Sequence, residues 1–544
     1  MRASIFLLLL VSLLGLRLAT LSVLPLVDPS EARYATVARD MLQTGNLLTP
    51  MVWSNNDYIP FLSKPPLYYW LSSFSMRFFG PDEFASRFPS FLAAIAVLGS
   101  TWLVMRRHLG SDVVRSALLV LLSCPLFFFA AGFGLTDVVL TLVVNLALLA
   151  FFCSTLEEDL RRKRRFGLVA FACLGVGMII KGPVSLVLFG LPAALWALWK
   201  RPPLVLRGLP WGLGMLLFLL PWAPWFLLAE RSNPGFLEYF FVNENFLRYA
   251  SSSYGDRYGG GHRYPYGAAI FFFLLAVLPW LLLLGWKIRR PEERSAALTQ
   301  FRAPALQFFL LVIAADVFFL CFSRHILGTY VLPVLPVAAL LLAALLATAG
   351  FRTVHVAVAS AALVTVYSLV LTVGMPLIEG RWSAKSVLDE ARAIQQQRHA
   401  TGQIIFIEKI PFSARFYGGR DVFHLPWDAG NAHYEGYLAP AHGDLFVLSP
   451  AHDERLDRYV TDRLAKIVDC GFYSIWQPVL PGTEGEAVVV GAEDESDQAT
   501  RAGRSESRCF ASSSALASAS PSSVSWASSA RARLAKPRFR SDRS

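Results

Sequence analysis

Lys64 stands in "SKPPLYYW" (63–70), ahead of Pro65 and Pro66 and close to Tyr68, Tyr69 and Trp70. Two prolines fix the backbone dihedral, so the ammonium has a set position. The aromatics after it form a belt of the kind found where bilayer meets water. A lysine held there suits a lipid phosphate, or it is an ordinary snorkelling lysine. Asp28 and Glu31 open "DPSEARYATVARDML" (28–42). They read either as a general base at a membrane mouth or as solvated acids on an interfacial helix, lying on the membrane, that Ser30 caps. Asp137 in "GLTDVVLTL" is a functional acid by its cost in an apolar run, or a helix cap with Thr136. Lys181 in "KGPVSL" marks a helix break, or a turn between spans. Arg248 comes from "NENFLRYA", His262 from "GGGHRYPY", and Arg324 and Tyr330 from "SRHILGTYVLP". Cations gathered opposite carboxylates suit binding an anionic lipid head and deprotonating an acceptor.

The chain that must position these groups has 544 residues, 55% hydrophobic and only 16% charged. Ordinary soluble domains are roughly 25% charged. Apolar runs long enough to cross a bilayer recur at 5–27, 84–105, 113–131, 135–153, 166–180, 183–199, 209–228, 266–286, 305–322, 328–349 and 353–374. The expected fold is therefore an all-α polytopic membrane bundle of about 11 transmembrane helices. Arg17 interrupts the first run and should face the bundle interior.

The net charge of +11 does not point to nucleic acid, because the basic residues lie between apolar runs. Arg2, Arg106–Arg107, "RRKRR" (161–165), "KRPP" (200–203), "WKIRR" (286–290) and Arg352 all fall on one side if the spans alternate. That side is cytoplasmic by the positive-inside rule. The first outer loop (28–83) and the other outer loops then carry the acids, and the chemistry faces away from the cytoplasm. The six cysteines show no zinc or CxxC spacing, and no metal ligand set is expected.

After Gly374 the pattern changes. "KSVLDEARAIQQQ" (385–397) reads as an amphipathic helix, and "QIIFIEKI" (403–410), "DLFVLSP" (444–450) and "EAVVVGA" (486–492) as strands. "DERLDRYVTDRLAKIV" (453–468) reads as helical. The expected organisation is a membrane domain (1–375), a small C-terminal α/β extracytoplasmic domain (376–494) and a Ser/Ala/Arg-rich tail (495–544). The tail has too little apolar content to fold.

"DPSEARYATVARDML", "KPPLYYW", "LTDVVLTL", "KGP", "NENFLRY" and "LGTYVLP" occur in the order found in bacterial membrane glycosyltransferases of the C-type fold (GT-C). The resemblance is to the aminoarabinose transferase of lipid A and to relatives of the dolichyl-phosphate-mannose–protein mannosyltransferases, over roughly residues 1 to 375. It implies sugar transfer from a polyprenyl-phosphate-linked donor to an envelope lipid, glycan or protein, outside the cytoplasmic (inner) membrane of a bacterium. It also implies that the first loop carries the catalytic acid, that Lys64 contacts donor phosphate and that Asp137 is a second acid. Two positions depart from the pattern: Ser30 stands where relatives carry Asp, leaving that role to Asp28 or Glu31, and Ser63 stands where aminoarabinose transferases carry Glu. The expected reaction is one inverting displacement whose leaving group is a phosphate monoester, with Arg248 and Arg324 helping Lys64, and a divalent metal is not required. Rival readings are a flippase of polyprenyl-linked lipid and an inactive lipid-binding relative.

Overall fold

A computed structural model describes residues 1–54, 57–200, 206–251, 258, 263–426, 443–449 and 463–479. His262, the "EAVVVGA" strand, residues 453–462 and the tail 495–544 lie outside the described residues.

Helices occupy each of the eleven apolar stretches. Among the described residues, seven are long and apolar enough to cross a bilayer: Glu83–Leu109, Thr136–Leu156, Trp211–Ser232, Ala268–Lys287, Pro304–Cys321, Gly328–Thr348 and Thr353–Ile378. Ala3–Ala19 and Val184–Trp199 are shorter apolar helices. The protein is an integral membrane protein. Thr136–Leu156 and Gly328–Thr348 are mostly enclosed by other helices, whereas Trp211–Ser232 and Ala268–Lys287 leave most of their apolar surface uncovered. The first pair forms the centre and the second offers its surface to lipid. The first helix is shorter than its apolar run, because it ends at Ala19 and only turns and extended chain follow to Val27.

Arg17 faces inward, 1% exposed. Its guanidinium donates to the carbonyls of Phe128 and Phe129 at 2.9 and 3.1 Å and to Thr20 Oγ1 at 2.6 Å. Those carbonyls end the short helix Pro125–Ala130, whose last acceptors have no partner inside the helix. In an apolar interior an unmet carbonyl is costly, and the buried arginine meets it. Gly132 is needed here: a Cβ at this position would lie 1.7 Å from the guanidinium.

The loop 28–83 contains the helix Ser30–Thr44, a hairpin of Met51–Ser54 with Asp57–Pro60, and the helix Leu67–Phe79. Asp82 caps the next helix by accepting from Ala85 N at 2.7 Å. Two expectations for this loop are corrected. Ser30 is the first helical residue and makes no cap bond, and Pro29 occupies the cap position. The helix does not lie as a free interfacial element either. Every residue from Ala35 to Met41 is buried, because the helix packs between Leu67–Phe79 and the C-terminal helix Phe412–Gly418.

The C-terminal region has the helix Lys385–Gln397 and a five-stranded sheet. Its order is Val422–Leu425, Ile404–Ile407, Leu445–Leu448, Ser474–Pro478, Leu464–Asp469; the first three run parallel and the last two pair antiparallel with their neighbours. Ile404–Ile407 and Leu445–Leu448 are buried throughout, as continuous apolar strands inside a sheet should be. The helix expected to run to residue 468 is corrected: Leu464–Asp469 is a strand. Its partner follows after a tight turn at Gly471, φ +81°, and a local bulge between Lys466 and Val468 breaks the two-residue alternation. That bulge hides the strand from a periodicity reading.

Candidate active site

A cavity of about 490 Å³ opens between the loop 28–83, the helix ends near Asp137 and Lys181, and the segment 241–249. Its polar lining includes Lys64, Asp137, Lys181, Glu244, Arg248 and Tyr330. Leu140, Val184, Phe241 and Phe319 form part of its apolar wall.

Lys64 reaches the cavity from the turn between the strand that ends at Pro60 and the helix that begins at Leu67. Its ammonium donates to Glu244 Oε1 at 2.5 Å and to the Ser63 carbonyl at 2.9 Å. Arg248 Nη1 donates to the same Glu244 oxygen at 2.6 Å. Glu244 and Arg248 are one turn apart, with Glu244 inside the wide-turned π-helix Tyr239–Leu247. Such segments are rare and recur at functional sites. One carboxylate oxygen thus bridges two cations drawn from positions 184 residues apart.

The second ion pair joins Lys181 Nζ to Asp137 Oδ1 at 2.5 Å. Asp137 lies in the first turn of its helix, and Leu135 holds the cap position without a side-chain bond. The cap reading of Asp137 and Thr136 therefore does not apply. Among the described residues, Asp137 Oδ2 accepts only a long bond, 3.3 Å, from Thr329 Oγ1. Lys181 Nζ also sits 3.9 Å from the centre of the Tyr330 ring, a cation–π contact. The helix stops at Lys181 because Gly182 takes φ +81°, open mainly to glycine, and Phe240 crosses 2.5 Å from where a Cβ would stand.

Asp28, Glu31, Tyr68 and Arg324 do not line the cavity. Both Glu31 oxygens are filled: Arg87 donates to them at 2.7 and 2.9 Å, Gly134 N to Oε1 at 2.7 Å and Val27 N to Oε2 at 2.9 Å. Arg87 in turn donates to the carbonyls of Leu21, Leu24 and Pro25. Glu31 is a structural anchor that fixes Gly134, three residues before Asp137. Asp28 accepts from the Ser413 backbone N at 3.0 Å and from the Ser413 hydroxyl, so it ties the C-terminal region to the membrane part. Burial pushes its carboxyl up to about 6, against the lowering effect of the Ser413 bonds. Tyr68 is buried against Ser86 and Ser90. Arg324 covers the Tyr266 ring at 3.6 Å. His262 lies outside the described residues.

Sequence reasoning did not select Glu244, although it sits in "NENFLRY" one turn before Arg248. The helical spacing of the pair was the available signal. His325 also lines the cavity. Among the described residues no group of three or more His, Cys, Asp or Glu side chains has a metal-binding arrangement.

Comparison with known proteins gives this geometry its context. Residues 63–227 match the dolichyl-phosphate-mannose-protein mannosyltransferase family. The fold matches the crystal structure of ArnT from Cupriavidus metallidurans bound to undecaprenyl phosphate with a TM-score of 0.70, covering 90% of this chain and all of that one at 20% identity. This is the fold of a bacterial C-type membrane glycosyltransferase. In sequence the chain resembles undecaprenyl phosphate-alpha-4-amino-4-deoxy-L-arabinose arabinosyl transferases. It is 29% identical to that of Aeromonas salmonicida over 59% of this chain and 56% of the relative. It is 30% identical to that of Yersinia enterocolitica over 61% and 58%. The chain thus spans a little over half the length of these curated relatives.

Proposed function

We propose that the protein moves a sugar from a polyprenyl-phosphate-linked donor to an envelope lipid, glycan or protein on the outer face of the bacterial inner membrane. The observation that carries this reading is the cavity itself. Lys64 and Arg248 converge on one point there, beside the Asp137–Lys181 pair and against an apolar wall. Two cations at the bilayer rim match a lipid phosphate, and the wall suits the first isoprene units.

Asp137 is the acid best placed to take the acceptor's proton, because it lines the cavity, Lys181 orients one of its oxygens and the other has a long bond from Thr329. The acceptor oxygen or nitrogen attacks the anomeric carbon as the bond from that carbon to the phosphate oxygen breaks. The bonding pair leaves with the phosphate, and Lys64 and Arg248 stabilise the charge as it develops. The C-terminal region packs over the first outer loop on the same side, and we place both outside the cytoplasm.

The experiment is transfer of label from a radiolabelled polyprenyl-phosphate sugar by the purified chain. Asp137→Asn should lower turnover by about 10² to 10⁴ with donor saturation little changed. Lys64→Ala should raise the donor concentration needed for half-maximal rate. A protein that only carries lipid across the bilayer transfers no label, and that result rejects the proposal.

A further inference from the structure

Tyr417 joins three parts of the chain through one hydroxyl. It lies in the C-terminal helix Phe412–Gly418. The hydroxyl donates to Glu83 Oε1 at 2.9 Å and accepts from Leu26 N at 2.7 Å. Lys385, also from the C-terminal region, donates to the same Glu83 oxygen at 2.6 Å. Glu83 is the first residue of the helix Glu83–Leu109, and Arg87 stands one turn further along it. The buried Arg87 guanidinium engages all of its N–H donors, with the carbonyls of Leu21, Leu24 and Pro25 and with both oxygens of Glu31. Glu31 in turn holds Gly134 N at 2.7 Å, three residues before Asp137.

We propose that Tyr417 is a positioning residue, tying the C-terminal region to Asp137 through Glu83, Arg87, Glu31 and Gly134. The inference rests on the reading of Asp137 as the base. Tyr417 does not line the cavity. Its hydroxyl instead touches both pieces that Arg87 spans, the irregular chain 21–27 and the start of the arginine's own helix. It fixes the one against the other. The links that follow are charge-assisted bonds in a dry interior, where a small change of geometry costs much of the bond. Without the hydroxyl, the Leu26 N–H and Glu83 lose a shared partner, and the helix start can shift against the chain 21–27. Gly134 and the start of the Asp137 helix then lose their set position. Lys64 enters from the turn between Pro60 and Leu67, off this route, so the donor phosphate should be held as before.

Tyr417→Phe in the full chain, purified in detergent, tests the route at its far end without any substrate. Amide hydrogen exchange should rise by about tenfold or more in the stretch 131–136, while exchange in the helix Leu335–Thr348 stays at the native rate. A rise in both stretches, or in neither, overturns the proposal.

Label transfer from a radiolabelled polyprenyl-phosphate sugar, per folded protein, is the second measurement. Turnover should fall by roughly tenfold with donor half-saturation unchanged, since a misplacement of about 1 Å can cost about a hundredfold. In an Asp137→Asn background the loss should shrink to under about twofold, because no base is left to misplace. Should Tyr417→Phe fold poorly, Glu83→Ala should show the same pattern. Glu83→Gln keeps an acceptor for the hydroxyl and should stay within about twofold of native. An equal loss in both backgrounds sinks the proposal alone. Native turnover by Asp137→Asn sinks the base reading and the proposal with it.

Discussion

Replacing Asp28 with Asn separates a docking role from a catalytic one. The carboxyl lies under the C-terminal helix Phe412–Gly418, where it accepts from the Ser413 backbone and hydroxyl. Burial raises its pKa from the ordinary 3.8 to about 6, so the folded state binds the proton more tightly than the unfolded chain does. This contribution to stability is complete below pH 4 and is lost as the pH rises through 6. Above that, the rise corresponds to a penalty of about 3 kcal/mol. Asn keeps an oxygen for the Ser413 N–H and offers an N–H to the Ser413 hydroxyl, without the charge. Asp28→Asn should therefore stabilise the protein by up to about 3 kcal/mol at pH 7.5, with the gain vanishing towards pH 4. Thermal unfolding in detergent across that range, as variant minus native, reads the difference. Destabilisation at pH 7.5, or a difference independent of pH, refutes the reasoning. Label transfer by the same variant should stay within about tenfold of native, and a loss of 10² or more would return Asp28 to the role of base.

Glu31→Gln should lose about 3–5 kcal/mol of stability, because it leaves the Arg87 charge buried without its counter-ion, and the fraction that still folds should transfer label within about tenfold of native. Gly182→Ala should lower both folded yield and activity, since φ +81° and the Phe240 ring both reject a Cβ, and size-exclusion profiles with transfer rates check this. Tyr417→Phe removes the hydroxyl that donates to Glu83 and accepts from Leu26 N. It should cost about 1–2 kcal/mol and increase proteolysis between the membrane part and the C-terminal helix.

The helices were legible because lipid makes hydropathy a strict signal: backbone groups in hydrocarbon must pair within a helix. The C-terminal helix Lys385–Gln397 was legible in full from its amphipathic spacing. Ser474–Pro478 was not, since "SIWQP" is short and has a partly exposed face. At the site, Lys64, Asp137, Lys181, Arg248 and Tyr330 were readable as polar groups at the ends of apolar runs, and all five line one cavity. Which acid meets which cation is a property of packing. Asp28 and Glu31 look alike in the sequence, yet one meets a serine from the C-terminal region and the other an arginine 56 residues on.

Glu31 and Arg17 act on the cavity without lining it. Glu31 holds the Gly134 amide at 2.7 Å, and Arg17 holds the Phe128 and Phe129 carbonyls just before it. The irregular stretch between the helices ending at Ala130 and starting at Thr136 is gripped from both ends by charged groups whose own hydrogen bonds are met. Asp137 sits one residue into the helix that follows, so its distance to Lys181 depends on that grip. A buried ion pair is weak evidence for stability on its own. Here Arg87 and Glu31 together meet several backbone groups in a dry interior, and the result is a fixed helix start. That gives a physical reason for a first-loop acid and for buried arginines on the helices beside it, even where the reacting groups are elsewhere. Ser30 is compatible with this division, because anchoring requires Glu31 and the cavity has Asp137.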